Sequence, residues 1–123
     1  MTTSINESYI YKIYKQSEVS HQDFSNNSDS LVLTSLDQSS GYIHLCTKQQ
    51  ISGVLTRFYK DVKDLVILKL STKNLNQDKL KYEPVIENNN THYFPHYYNS
   101  ISFNNIEKVF KLDGVNQLDL SNF

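Results

Sequence analysis

Asp64-Leu65-Val66-Ile67-Leu68-Lys69-Leu70 is a near-continuous apolar run of strand length. A strand with one wet face alternates apolar and polar residues, and this one does not, so both its faces are expected to be covered. It reads as the central strand of a sheet. The rest of the chain must then supply the layers around it.

The clearest helix precedes that run. Thr47 is placed to cap it, with Gln50 three residues on to complete a capping box. Ile51, Val54, Leu55 and Phe58 fall at i, i+3, i+4 and i+7, which makes one apolar stripe. Gly53 either weakens the helix by up to about 1 kcal/mol relative to Ala or marks close packing against a neighbour. Further upstream, Gly41 leads into a strand from Tyr42 to Cys46, and Asp37-Gln38-Ser39-Ser40-Gly41 reads as a turn. Leu31-Val32-Leu33 is expected to pack under the sheet, behind an exposed polar loop from Ser25 to Ser30. Gln16 to Asp23 reads as a short helix, and Tyr9 to Tyr14, rich in β-formers, as the opening strand.

On the other side, Leu80 to Val85 alternates and reads as a shorter strand, with Pro84 favouring a sheet edge. Asn88-Asn89-Asn90 reads as a surface turn. Ile106 to Leu112 gives a last strand, closed by the turn pair Asp113-Gly114. Strands outnumber helices, so the class is α+β with one or two helices.

A chain of 123 residues has room for one domain. Residues 9–113 are expected to form it, between a flexible N-terminus at 1–8 and a C-terminal tail at 114–123. Nine Tyr against six Phe mean that many aromatic rings need a hydrogen-bond partner or a wet edge. The net charge of −1, with Lys and Arg scattered, argues against general nucleic-acid binding. Cys46 is the single cysteine, which excludes an intrachain disulfide and zinc sites built on several thiolates. Met1 to Glu7 lacks the charged start and apolar run of a signal peptide, and no stretch approaches membrane-spanning length. The expected setting is cytoplasmic or nuclear, without membrane contact. These features leave the oligomeric state open.

Two histidines stand out. If Ile43 and Leu45 point into the core, Tyr42 and His44 point to the opposite face. The Gly41 entry and the Cys46-Thr47 exit put the His44 ring at a strand end beside a helix N-terminus, where backbone N–H groups suit an anionic ligand. The bland alternative is an exposed strand histidine with no task. His96 sits in Phe94-Pro95-His96-Tyr97-Tyr98, where Pro95 removes a donor and fixes φ, so this segment reads as a rigid loop or irregular edge. Its bland alternative is an aromatic plug over one end of the core. His92 reads as a solvated loop residue. Glu83, beside Tyr82, is the acidic residue best placed by pattern. Lys12 reads as mostly solvated, with an occasional anion contact. No Gly-rich phosphate loop or Gly-x-Ser-x-Gly elbow occurs, and no metal site is expected. Cys46 lies two residues from His44, a spacing that shares a strand face without holding the two in contact, so it reads as packing.

Four blocks carry a resemblance. Ile10-Tyr11-Lys12-Ile13, Gly41-Tyr42-Ile43-His44-Leu45-Cys46-Thr47 with Gln50 behind it, Tyr82-Glu83, and Phe94-Pro95-His96-Tyr97-Tyr98 occur in the order of the Domain of Unknown Function 952 family, which the chain resembles from Tyr9 to about Leu112. The second block looks like the family's Gly-Phe-Ile-His-Leu-Ser-Thr signature, and the run from Asp64 to Leu68 falls where the family has one. Ser40 stands where the family usually has Asp, Cys46 where Ser is common, and Asn99-Ser100 where Gly-Pro often follows. His44, Glu83, His96 and Tyr98 are all in place.

The resemblance implies an ADP-ribosyltransferase-like fold, a split and bent β-sheet with a cleft for NAD, and the His-bearing strand also looks like one in tRNA 2′-phosphotransferases. It further implies that His44 contacts a ribose hydroxyl or phosphate and that an aromatic ring stacks on nicotinamide. Glu83 would hold a ribose hydroxyl while charge develops at the anomeric carbon. The leading expectation is thus a small protein binding NAD, as substrate rather than resident cofactor, or a related phosphorylated ligand. Its site would combine His44, Glu83 and His96 as the reacting groups with Tyr11, Lys12, Tyr42, Thr47 and Tyr98 as ligand contacts. One alternative is a non-catalytic binding or protein-interaction module on the same fold. Another is a His-based acid–base enzyme acting on a small phosphorylated substrate.

Overall fold

The structure, a computed structural model, describes residues 7–20, 22–25, 29–87, 89–114 and 118–123. Strand β1 (Tyr9–Lys15) is followed by helix α1 (Ser35–Ser40), the short strand β2 (Ile43–His44) and helix α2 (Ile51–Phe58). Four strands complete the chain: β3 (Leu65–Ser71), β4 (Leu80–Glu87), β5 (Asn90–Tyr97) and β6 (Ile106–Leu112). They form two three-stranded antiparallel sheets, ordered β1-β3-β6 and β2-β5-β4. The class is α+β with few helices.

The apolar run at 65–70 is the central strand of the first sheet, and it is covered on both faces. Val66, Leu68 and Leu70 join Ile10, Tyr14, Tyr97, Ile101 and Phe103 in one core. Leu65 and Ile67 join Tyr11, Ile13, Ile51 and Leu55 in the other. β1 is covered on both faces as β3 is, with Ile10 to Tyr14 all buried. Lys12 lies between Ile10 and Tyr14 on the first face and is 2% exposed. The expectation of a solvated Lys12 is corrected here: a buried ammonium needs a counter-charge, and the fold supplies one.

The segment Phe94–Tyr97 is not a loop or an edge. It belongs to β5, the middle strand of the second sheet. Pro95 is tolerated there because β2 is so short. Ile43 pairs with Tyr97 and His44 with His96; Leu45 then donates its N–H to the Pro95 carbonyl at 3.1 Å. The return bond would need a proline N–H, so the ladder ends. Pro84 sits on the edge strand β4, as expected. Beyond Leu45 the chain changes sheets: Cys46 and Tyr11 exchange both backbone hydrogen bonds, at 2.8 and 2.9 Å. The residues 43–46 thereby tie the two sheets together.

Other boundaries also differ from expectation. The helix expected from Gln16 to Asp23 is one 3₁₀ turn, Gln16–Glu18. The expected turn at 37–41 is the body of α1, which Thr34 caps and Gly41 closes in the left-handed conformation at φ 85°. Thr47 and Gln50 form the expected capping pair, with the Gln50 side chain accepting from the Thr47 N–H at 2.9 Å. Ile51 and Leu55 are buried, but Phe58 is 63% exposed and leaves the stripe. Gly53 marks no close packing, since a Cβ there would meet only the Arg57 side chain at 3.5 Å. Leu31 is buried and Leu33 exposed. Part of the loop at 25–30 and Asn88 of the turn lie outside the described residues; Asn89 has φ 66°.

Described residues near both ends of the chain contact the domain. Glu7 and Ser8 accept hydrogen bonds from Thr72. Leu118, Leu120 and Phe123 pack on the second core, and the Phe123 ring stacks on Phe110 at 3.9 Å. Among the described residues, no helix is long and apolar enough to cross a membrane.

Candidate functional site

α1 and β2 build the first half of the site. The capping box that starts α1 puts Asp37 in its first turn, where its N–H donates to the Thr34 hydroxyl and its carboxylate accepts from the Thr34 N–H, both at 3.1 Å. The fold then brings β2 and β1 against that carboxylate. Lys12 Nζ lies 2.7 Å from Asp37 Oδ2, and the His44 N–H and His44 Nδ1 lie 3.0 and 2.8 Å from Oδ1. Lys12 also donates to the His44 carbonyl at 3.0 Å. Burial pushes the Asp37 carboxyl up, but the hydrogen bonds from His44 and the Lys12 charge outweigh it and hold the group well below the usual carboxylate range. The same burial lowers the Lys12 pKa against the pull of Asp37. Asp37 is thus a buried, ionised anchor. A carboxylate only accepts hydrogen bonds, so His44 Nδ1 carries a proton.

The second half comes from the hairpin of β4 and β5. His96 Nδ1 lies 2.8 Å from Glu83 Oε1, and the Tyr98 hydroxyl donates to the same oxygen at 2.6 Å. Burial raises the Glu83 carboxyl, yet the bonds from Tyr98 and His96 outweigh it and bring it below its usual value. Burial lowers the His96 pKa; Glu83 opposes that and His44 adds to it. The hydrogen bond to Glu83 pushes the Tyr98 hydroxyl up to about 12.

The two halves meet. The rings of His44 and His96 are 5.4 Å apart, edge to face. Tyr42 bridges them, stacked on His96 at 4.2 Å and tilted against His44 at 4.6 Å, with Tyr98 5.0 Å away. Among the described residues neither imidazole has a hydrogen-bond partner on Nε2. Both rings line a cavity of about 490 Å³ that runs along the outer edge of β1. The arrangement is two carboxylate–imidazole pairs side by side, each with Nδ1 held and Nε2 open.

The sequence-predicted residues divide accordingly. Tyr11, Lys12, Tyr42, His44 and His96 line the cavity. Glu83 and Tyr98 stand outside that lining and reach it only through His96 and Tyr42. Thr47 is buried and starts the turn before α2, so it is a capping residue and not a cavity contact. His92, on β5, is exposed and apart from the site. Cys46 also lines the cavity, but burial pushes its thiol up to about 12, far from a thiolate at neutral pH.

Asp37 is the residue that sequence reasoning missed. Its signal was Thr34-Ser35-Leu36-Asp37, a capping-box spacing that marks a helix start rather than a turn.

The model of the family described as Protein of unknown function (DUF952) matches residues 15–109. The chain belongs to the DUF952 family. Among curated proteins none matches. The crystal structure of protein CC0527 from Caulobacter crescentus is similar, with a TM-score of 0.70 at 23% identity over 86% of this chain and 90% of that one. Its solution NMR structure gives a TM-score of 0.66 at 22% identity, over 87% of this chain and 86% of that one. At that identity the likeness concerns the fold of this DUF952 member.

Proposed function

We propose that this DUF952 protein is an acid–base enzyme acting on a small phosphorylated, nucleotide-like ligand, with His44 and His96 as the proton carriers. One observation supports the reading above the others: two imidazoles 5.4 Å apart on one cavity, each braced by a carboxylate at Nδ1. Bracing fixes tautomer and orientation and leaves Nε2 for the ligand. A neutral imidazole takes the proton of an attacking hydroxyl or water. The other, protonated, gives its proton to the departing oxygen. One P–O bond forms and one breaks, and the pair ends with its protonation exchanged.

We also infer an ADP-ribosyltransferase-like fold. Two three-stranded sheets joined through residues 43–46 fit an ADP-ribosyltransferase-like split sheet, and NAD is one ligand of the proposed class. The position of Glu83 favours proton transfer over stabilisation of an anomeric centre, because its bonded oxygen turns to His96 and Tyr98 and it does not line the cavity. A cytoplasmic setting fits a single buried cysteine that needs no oxidising compartment.

Isothermal titration with NAD, ADP-ribose and nucleoside phosphates at millimolar ligand tests the binding step. Heat with at least one of them is expected, and silence with all of them overturns the proposal. Where a substrate is turned over, His44→Ala and His96→Ala should each lower kcat by about 10²–10⁴. Binding without turnover by any phosphorylated ligand would favour a binding module on the same fold.

A further inference from the structure

The cavity has a second wall that proton transfer does not use. Leu36, Val54, Phe58, Tyr59, Val85 and Phe94 line it alongside the imidazoles. Helix α2 shows how the wall arises. Ile51 and Leu55 are fully buried and fix the helix on the second core. Val54 and Phe58, four residues apart and so on one helix face, are left to the cavity. Helix α1 divides its neighbours in the same way: Asp37 turns inward to Lys12 and His44, while Leu36 lies on the rim. Leu36 is 58% and Phe58 63% exposed, so two large apolar side chains border the open cavity with much of their surface uncovered. Apolar surface gathered in a concavity that also holds a few convergent polar groups is the usual make-up of a small-molecule site.

Resting on the acid–base reading of the same cavity, we infer that the substrate is a phosphate ester carrying one flat apolar ring, its ester group at His44 and His96 and its ring on Phe58, Phe94 and Leu36. Phe58 and Phe94 in that wall offer stacking and edge contacts that an aliphatic polyol cannot return. The volume, about 490 Å³, lies in the lower half of the range for small-molecule pockets. That suits one ring system with one phosphate group. Phe58 and Leu36 are therefore specificity-determining residues.

The test compares four probes on the full chain by isothermal titration: phenyl phosphate, glycerol 2-phosphate, inorganic phosphate and phenol. Phenyl phosphate should bind roughly tenfold or more tightly than glycerol 2-phosphate, the advantage that burying one ring confers. Phe58→Ala and Leu36→Ala should each shrink that ratio. Both positions lie outside the two cores, and thermal melts check that the variants stay folded. Equal affinity for the aromatic and aliphatic esters, or a ratio untouched by both substitutions, overturns the inference and leaves the acid–base reading standing. Phenol binding as tightly as phenyl phosphate, unaffected by His44→Ala, keeps the apolar wall but removes the phosphate ester, and with it both claims. Binding of none of the four overturns the inference, while the titrations with NAD, ADP-ribose and nucleoside phosphates decide the acid–base reading separately.

Discussion

Asp37 ties β1, α1 and β2 together through one side chain. Its two oxygens take the Lys12 ammonium, the Thr34 N–H, and both the backbone and ring N–H of His44. Removing one partner of a buried ion pair leaves the other charge without compensation. Asp37→Ala should therefore cost about 3–5 kcal/mol, measured by urea unfolding. The double variant Lys12→Met with Asp37→Leu should recover part of that stability, since an apolar pair can replace a buried ionic one while the Thr34 and His44 N–H groups stay without their acceptor. It should not recover ligand binding at His44, whose Nδ1 anchor is gone. The folded Asp37 carboxyl sits well below the usual value of about 3.9, so its stabilisation is complete above roughly pH 4 and is lost as pH falls toward the folded value. The double variant should lack that part of the acid slope. His96 offers a second test. Burial lowers its pKa and Glu83 partly restores it, so an NMR titration of its ring should show a midpoint below about 6.5. Glu83→Gln should move the midpoint lower still; an upward move would contradict the pairing. Because the folded value is depressed, this histidine costs stability as pH drops below its unfolded pKa.

The helices show how much local pattern can say. Thr47 and Gln50 mark the 3₁₀ turn that leads into α2, and Thr34 and Asp37 mark the start of α1 by the same spacing, although the composition of residues 37–41 suggests a turn. Gly53 inside α2 and Gly41 just past α1 should respond to alanine with opposite signs. Gly53 has an ordinary helical backbone and room for a Cβ, so Gly53→Ala should stabilise by up to about 1 kcal/mol. Gly41 has open space around it too, but its φ of 85° belongs to the left-handed region. Gly41→Ala should destabilise by about 1 kcal/mol through the backbone alone, and thermal melts of the two variants would show it. Phe94 to Tyr98 went the other way. Its proline argued for an edge, and the brevity of β2 allowed it into the middle of a sheet.

The two sheets share one core and are joined by direct links as well. Cys46 and Tyr11 join β2 to β1, the Asp37–Lys12 pair links α1 to the same strand, and Tyr97 of β5 packs in the core that β1 and β3 share. The whole should therefore unfold in one step, with tyrosine fluorescence and far-ultraviolet dichroism giving the same midpoint in urea. Separate midpoints would mean that the sheets fold independently. The same coupling sets the site. His44 comes from the segment that crosses between the sheets and His96 from the strand it pairs with, so any loss of the 43–46 register would separate the imidazoles from each other and from Asp37.

The residues by themselves determined the central strand, the capped helix, the α+β class and the pair of histidine-bearing segments. Periodicity, capping spacing and turn chemistry act over a few positions, and those signals are written along the chain. What faces what is different. That Lys12 is buried, that Asp37 and not Glu83 braces His44, and that Glu83 turns to His96 instead of the cavity depend on contacts across 7 to 32 positions. Only the packing of two sheets around a shared β1 decided them, because burial on both faces is a property of the assembled layers and not of any one strand.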